Sequence, residues 1–372
     1  MMNWSRFLAI LIKEFRQIRR DRLTFAMMVA VPILQLVLFG YAINTDPKHL
    51  PLAVVSADHS EFSRSLVASL ENSSYFRVTA RPASEAEGNR LLDEGRVQFL
   101  LVIPPDFSRK ILRGENPAVL LAADATDPSA SGNALATINA ISRQVLAHNP
   151  VGRVPPSDTP FDIRAQRRYN PEGVSRYNIV PGLIGVILTM TMVMMTALAM
   201  TRERERGTME NLLVTPVRPL EVMVGKIAPY ILIGYVQTAV ILLAAWILFD
   251  VPMIGSLALL SAALVVYMAA NLAIGFTFST IAKNQLQAMQ LTFFFFLPSM
   301  LLSGFMFPFR GMPAWAQAVG EILPLTHFLR IVRGIMLKGN GAAEIAPQVW
   351  PIALFMLAAG LVALKRYRQT LD

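Results

Sequence analysis

The sequence predicts a polytopic α-helical membrane protein that carries one folded α/β domain between its first two spans. Three observations lead there. The 372-residue chain is 54% hydrophobic and 16% charged with a mean hydropathy of +0.46, too apolar for a water-soluble globule of this length. Six segments, residues 23–43, 179–201, 227–249, 257–281, 286–309 and 345–364, reach the roughly 20 apolar residues with which a helix crosses a hydrocarbon core of about 30 Å. Residues 44–178, by contrast, alternate short strand-like runs with amphipathic helical stretches.

Residues 1–22 form an amphipathic helix. Trp4, Phe7, Leu8, Leu11, Phe15 and Ile18 fall within about 100° of a helical wheel, and Arg6, Lys13, Arg16 and Arg20 lie opposite. Such a helix rests in the headgroup plane, either as an interfacial anchor or as an elbow that passes force from a cytoplasmic partner to span 1. The 21 apolar residues of 23–43 exceed the usual 7 to 15 of a signal peptide, so the cleavage-site look of Gly40-Tyr41-Ala42 is discounted.

Basic residues set the orientation. Residues 1–22, the loop 202–226, the turn at Lys283 and the tail after Leu364 together hold 15 basic against 7 acidic residues, and parity puts all four on one side. That side is cytoplasmic, as are both termini. Residues 44–178 hold 15 of each sign. The net charge of +9 is therefore a topology signal, and no nucleic-acid partner is implied.

Within 44–178, strands are expected at 52–55, 76–80, 99–103, 119–123 and 161–165, and helices at 60–70, 84–93, 106–112 and 129–148. The proline-rich stretch 150–160 leads the chain back towards span 2. A domain of about 120 residues buries its own core, and with no cysteine it uses no disulfide.

No catalytic or metal-binding pattern occurs. His49, His59, His148 and His327 are scattered and read as surface or interface histidines. Asp93-Glu94 and the Asp124/Asp127 pair read as helix-surface charge and turn capping. The chain lacks the glycine-lysine phosphate loop, so ATP and its magnesium would be held by another subunit. The spans contain no Asp, Glu, Lys, Arg or His between their ends, only polar groups such as Gln35, Gln237, Asn271 and Gln290, which weighs against an ion-coupled carrier.

Directly after span 2, residues 202–206 alternate Arg and Glu, Gly207 follows as a hinge, and Met209, Leu212 and Leu213 make a short apolar face closed by Pro216. This is either a docking surface or a solvated, self-paired charged collar. Residues 310–344 contain Trp315 but also Glu321, His327, Arg330 and Arg333, too costly at membrane depth for a seventh span. They are expected instead as an outer re-entrant or interfacial helical hairpin broken at Pro324. The Phe293–Phe296 run, Phe305 and Phe307, and Met190, Met192, Met194, Met195 and Met200, are packing bulk or an adaptable apolar surface.

Two blocks carry a resemblance. Glu205-x-Gly207-Thr208-x-Glu210-x-Leu212-Leu213-x-Thr215-Pro216 and the set Pro298, Ser303-Gly304, Pro313-x-Trp315 and Pro324 through Arg330 are similar to the permease subunits of type-2 ATP-binding-cassette exporters, in particular the multidrug-efflux-like branch with a large periplasmic domain. The likeness covers essentially the whole chain. It implies a bacterial inner-membrane permease half that pairs with a second permease, identical or not, above two ATPase subunits. Glu203, Glu205, Gly207, Thr208, Glu210, Leu212, Leu213, Thr215 and Pro216 would form the coupling helix, and Trp4, Phe7, Leu8, Leu11 and Phe15 the elbow. Related systems pass cargo to a periplasmic adaptor and an outer-membrane channel; whether this chain does so is left open. The expected cargo is an amphipathic drug-like or lipid-like molecule, with an ion-coupled carrier or a membrane-anchored scaffold as the alternatives.

Overall fold

A computed structural model of the protein describes residues 48–127, 131, 132, 134–136, 138, 161–205 and 219–366. The elbow helix, span 1 at 23–43, the proline-rich stretch 150–160 and most of the helix expected at 129–148 lie outside the described residues.

The α/β domain expected on the outer side (the outer domain) is a five-stranded mixed sheet flanked by helices. In chain order it runs β1 (Leu50–Ser56), α1 (Glu61–Asn72), β2 (Phe76–Ala80), α2 (Glu85–Asp93), β3 (Phe99–Ile103), α3 (Phe107–Arg113), β4 (Ala118–Asp124) and β5 (Asp162–Arg168). Strand order is β2-β1-β3-β4-β5; β1 is parallel to β2 and β3, β3 is antiparallel to β4, and β4 is parallel to β5. The helices start where the sequence signals them. Ser60 and Ser84 cap α1 and α2, accepting from the Ser63 and Glu87 amides.

Alternation along the strands divides the core. Leu52, Val54, Phe99, Leu101, Val119 and Leu121 turn to the face covered by α1 and α3, while Ala53, Leu100 and Ala122 turn to the face covered by Leu91 and Leu92 of α2. Burial on both faces explains why β3 reads Phe-Leu-Leu-Val-Ile with no polar interruption. Asp58 ties α1 to α3 by accepting from the amides of Ser60 and Ser108, each at 2.7 Å. Burial opposes ionisation of Asp58, but these amide and hydroxyl donors outweigh it and hold its pKa at about 2.

Among the described residues, five helices are long and apolar enough to span a membrane. They belong to α4 (Ser175–Glu205), α5 (Pro219–Phe249), α6 (Leu257–Ile281), α7 (Gln285–Leu302) and α10 (Ala342–Arg366). Between α7 and α10 come two short helices, α8 (Ala314–Ile322) and α9 (Pro324–Arg333), and a π-helical turn, Gly334–Lys338. α4 and α6 form the centre: α6 packs on α4 and α10, and α4 also meets α7 and α9. α5 and α10 instead leave Leu232, Val236, Val240, Trp246, Leu354 and Leu361 exposed, the composition expected of lipid-facing or subunit-facing sides.

The α4–α6 contact depends on Gly275. A Cβ there would lie 2.6 Å from the Val193 carbonyl oxygen and 2.8 Å from Thr196 Cβ. Above it, the fully buried Tyr267 donates to Gly185 O at 2.9 Å, hydrogen-bonds Thr189, and stacks on Phe328 with ring centroids 4.0 Å apart.

Helix ends differ from the apolar segments. The segment expected to run to residue 309 stops as a helix at Leu302, because Gly304 takes left-handed backbone (φ +83°) and Pro308 follows. Helix α4 continues beyond residue 201 to Glu205, since its Arg/Glu run is helix-favourable. Helix α5 is described from Pro219, inside the region read as loop, and residues 206–218 before it lie outside the described residues.

Gly275→Ala is expected to separate α4 from α6 and cost about 1–3 kcal/mol of stability, read as a lowered Tm of the detergent-solubilised protein. Asp58→Asn is expected to destabilise the outer domain by about 1–2 kcal/mol at pH 7. The wild-type carboxylate is depressed on folding, so its contribution is complete above pH ~4 and disappears as pH falls through about 2. Urea unfolding of wild type and variant should therefore converge over that window.

Candidate functional site

Two regions carry the residues singled out from sequence. The first is the end of α4, where Arg202, Glu203 and Glu205 extend the helix past its apolar part. Glu205 accepts hydrogen bonds from the backbone amide of Gln285 at 2.8 Å and from its side-chain amide at 2.5 Å. Those two donors hold its carboxyl below the usual range. The contact fastens the end of α4 to the α6–α7 turn, itself capped by Asn284, which accepts from the Gln287 amide. Gly207, Thr208, Glu210, Leu212, Leu213, Thr215 and Pro216 lie outside the described residues, as do Trp4, Phe7, Leu8, Leu11 and Phe15.

The second region lies at the opposite end of the bundle. Pro298 sits inside α7, Ser303 caps it by donating to Met300 O at 3.1 Å, and Gly304 turns the chain. Pro313 precedes α8, Trp315 is exposed in its first turn, and Pro324 opens α9. The expected break at Pro324 therefore falls where the chain changes helix. Arg330 grips Glu321 with both terminal nitrogens, at 2.6 and 3.0 Å, and its guanidinium lies 4.8 Å from the Phe309 ring centroid. Burial works against the charge on Glu321, but Arg330 prevails and holds its pKa below normal. His327 is buried, with one ring nitrogen 2.8 Å from Gln348 Oε1 and the other 2.8 Å from Glu321 O.

The end of α9 and the π-helical turn hold the α/β domain through groups that sequence reasoning missed. Lys338, at the end of the π-helical turn, donates to Asp124 Oδ2 at 2.6 Å and to Leu92 O at 3.2 Å, and lies 5.0 Å from the centroid of the Tyr169 ring. The two charged side chains are 8% and 12% exposed. Tyr169 donates to Asp93, and both its burial and that carboxylate raise its pKa. Arg333 donates to Asn178 at 3.0 Å and to Gly304 O at 3.2 Å, and Asn178 in turn donates to Thr126 O at 2.8 Å.

The reading of Asp124 as a turn cap is thus incomplete. Its Oδ1 does accept from the Thr126 amide and hydroxyl, at 3.0 and 2.8 Å, but Oδ2 is committed to Lys338. Asp93 is likewise engaged, its carboxylate accepting from Tyr169 and its backbone carbonyl from Asn340 at 3.2 Å. No local signal could have paired Lys338 with Asp124, which stand 214 residues apart in the chain.

The π-helical turn also reaches a third element. Its Ile335 and Met336 carbonyls accept from the Gly255 and Ile254 amides in the α5–α6 connection, both at 3.0 Å. Between hairpin and outer domain lies a cleft of about 660 Å³, lined on one side by Asp93, Glu94 and Asp124 and on the other by Arg310, Arg330 and Lys338. Among the described residues, no group of three His, Cys, Asp or Glu is arranged to hold a metal ion.

Comparison with known proteins gives a consistent picture. The family described as ABC-2 family transporter protein matches residues 22–365. The chain is 30% identical to the probable multidrug ABC transporter permease YbhS of Escherichia coli K12, over 99% of this chain and 98% of that protein. It is 27% identical to the probable multidrug ABC transporter permease YbhR of the same organism, over 98% and 99% of the two chains. To the inner membrane transport permease YhhJ of the same strain it is 30% identical over 97% and 96%.

Removing one partner of the Lys338–Asp124 pair leaves a buried charge uncompensated. Lys338→Ala is expected to cost about 3–5 kcal/mol, whereas Lys338→Met combined with Asp124→Asn, which keeps an oxygen for Thr126, should cost less than the single change. Hydrogen exchange of β4 and α2 amides in the full-length protein reads the difference.

Proposed function

Because this chain belongs to the ABC-2 transporter family and is a membrane permease subunit of an ATP-binding-cassette exporter, we propose that it moves an amphipathic drug-like or lipid-like molecule outward, driven by ATP hydrolysed on a separate ATPase subunit. In this reading ATP and magnesium belong to that partner, a second permease copy or homologue completes the pathway, and the protein sits in a bacterial inner membrane with both termini cytoplasmic. A periplasmic adaptor with an outer-membrane channel would be an additional partner, reached through the outer domain.

The observation that best supports an ATP-driven stroke is the continuity of α4. It carries the Arg/Glu run out of the apolar core as rigid helix, and Glu205 fixes that end to the start of α7. A push on the segment that follows Glu205 would therefore reach α4 and α7 together. Glu205 serves this internal bond, so Glu210 is the carboxylate we assign to basic groups of the ATPase, with Gly207 and Thr208 giving the bend and Leu212, Leu213, Thr215 and Pro216 the apolar anchor. Residues 310–344 would lie in the outer leaflet as a re-entrant hairpin, and residues 1–22 on the inner surface as an elbow.

The test is co-purification with the ATPase encoded beside this chain. Wild type is expected to co-elute with it stoichiometrically and to support ATP hydrolysis, and Glu210→Lys to reduce co-elution at least about tenfold. Intact co-elution and transport in Glu210→Lys would remove residues 203–216 as the docking element.

A further inference from the structure

The cleft between hairpin and outer domain is unevenly charged at one corner. Arg310 and Arg330 both face it, and the one carboxylate set between them, Glu321, is already gripped on both oxygens by Arg330. The Arg310 guanidinium makes a single long hydrogen bond, 3.4 Å to Gly95 O, and among the described residues no ion pair. Burial and the neighbouring Arg330 charge lower its pKa, and Glu321 opposes them in part.

The remaining acids around the cleft are engaged elsewhere. Asp124 is held by Lys338, Asp93 by Tyr169, and Glu94 lies 3.6 and 3.8 Å from Arg90 and Arg96. Glu344 accepts from the Gly341 amide at 2.8 Å, and Asp127 acts on Arg333. His327, packed behind Glu321, spends both ring nitrogens on Gln348 and the Glu321 carbonyl. Of the charges that act on Arg310 only Glu321 is acidic, and Arg330 already holds it, so this corner keeps one positive charge in excess although the whole lining carries six acidic and five basic side chains.

Helix α8 supplies the second half of the argument. Gln317 and Glu321, one turn apart, line the cleft, whereas Trp315, Val319 and Ile322 are exposed at 44%, 42% and 66% on the opposite side. A ligand with its head at Arg310 and an apolar body laid across α8 would satisfy both faces. Trp246 near the end of α5 and Trp350 early in α10 are exposed as well, an aromatic distribution found where a protein surface meets lipid headgroups. A volume of about 660 Å³ accommodates a headgroup and its glycerol.

We propose that this corner binds the phosphate headgroup of a phospholipid, anchored by Arg310 with Arg330 as second cation and with the acyl chains along the Trp315–Ile322 face of α8. The proposal needs only that this end of the bundle meets a leaflet, and it stands or falls apart from the ATPase partner.

The test is lipid retention by the purified full-length protein, without nucleotide, read by native mass spectrometry. The probes are dioleoyl phosphatidylglycerol, dioleoylglycerol and inorganic phosphate. Wild type is expected to retain phosphatidylglycerol at least about tenfold better than dioleoylglycerol, with millimolar phosphate failing to displace it. Arg310→Gln should lower retention about tenfold and Arg310→Lys should restore most of it, because a point charge still attracts the phosphate. Trp315→Ser, on an exposed face, should weaken retention about threefold and decides the matter if Arg310→Gln does not fold. Equal retention by wild type and Arg310→Gln, unchanged retention in Trp315→Ser, or displacement by free phosphate would each overturn the site.

Discussion

A hydrocarbon core offers no partner to a peptide N–H or C=O, and this one constraint arranges the whole molecule. Backbone inside the bundle stays helical, and departures from helix gather at its ends. Gly304 and Pro308 end α7, Pro324 restarts the chain as α9, and the π-helical turn 334–338 releases carbonyls that the α5–α6 connection immediately satisfies. Side chains obey the same rule. Thr189 and Thr201 sit buried, and their hydroxyls bond carbonyls of the preceding turn.

That concentration of irregular backbone at one end creates the junction with the outer domain. Lys338 reaches Asp124 from a left-over turn of π helix, and Arg333 reaches Asn178 from the last turn of α9. Asn340 adds a hydrogen bond to Asp93 O at 3.2 Å. A domain hung on two flexible linkers would move freely. Here the buried ion pair and its neighbours fasten the sheet to the hairpin, so motion of α9 or α10 carries the domain with it. The same junction leaves the cleft whose charges are mostly, though not at Arg310, balanced within the chain.

At the other end the logic is mechanical rather than electrostatic. Glu205 caps the start of α7 while belonging to the end of α4, so two spans share one carboxylate. In the proposed reading, a bond between α4 and α7 beside residues 206–216 spreads a displacement there over both helices.

Much of the fold was legible in the sequence. The strands at 76–80 and 99–103 and the helices capped by Ser60 and Ser84 fall where alternation and capping residues put them, because those signals act over a few neighbours. The apolar segments behind α4, α5, α6, α7 and α10 were equally plain, since crossing a bilayer is a matter of length and composition. Composition could not find the helix end at Leu302, where a glycine conformation decides. Nor could it pair Lys338 with Asp124, Glu205 with Gln285, or Arg310 with its crowded corner. Sequence alone determined that this chain spans a membrane and carries an α/β domain, because periodicity and hydropathy are local. Only the tertiary structure decided which charges meet, because a partner 80 or 214 residues away leaves no trace in the neighbours of either residue.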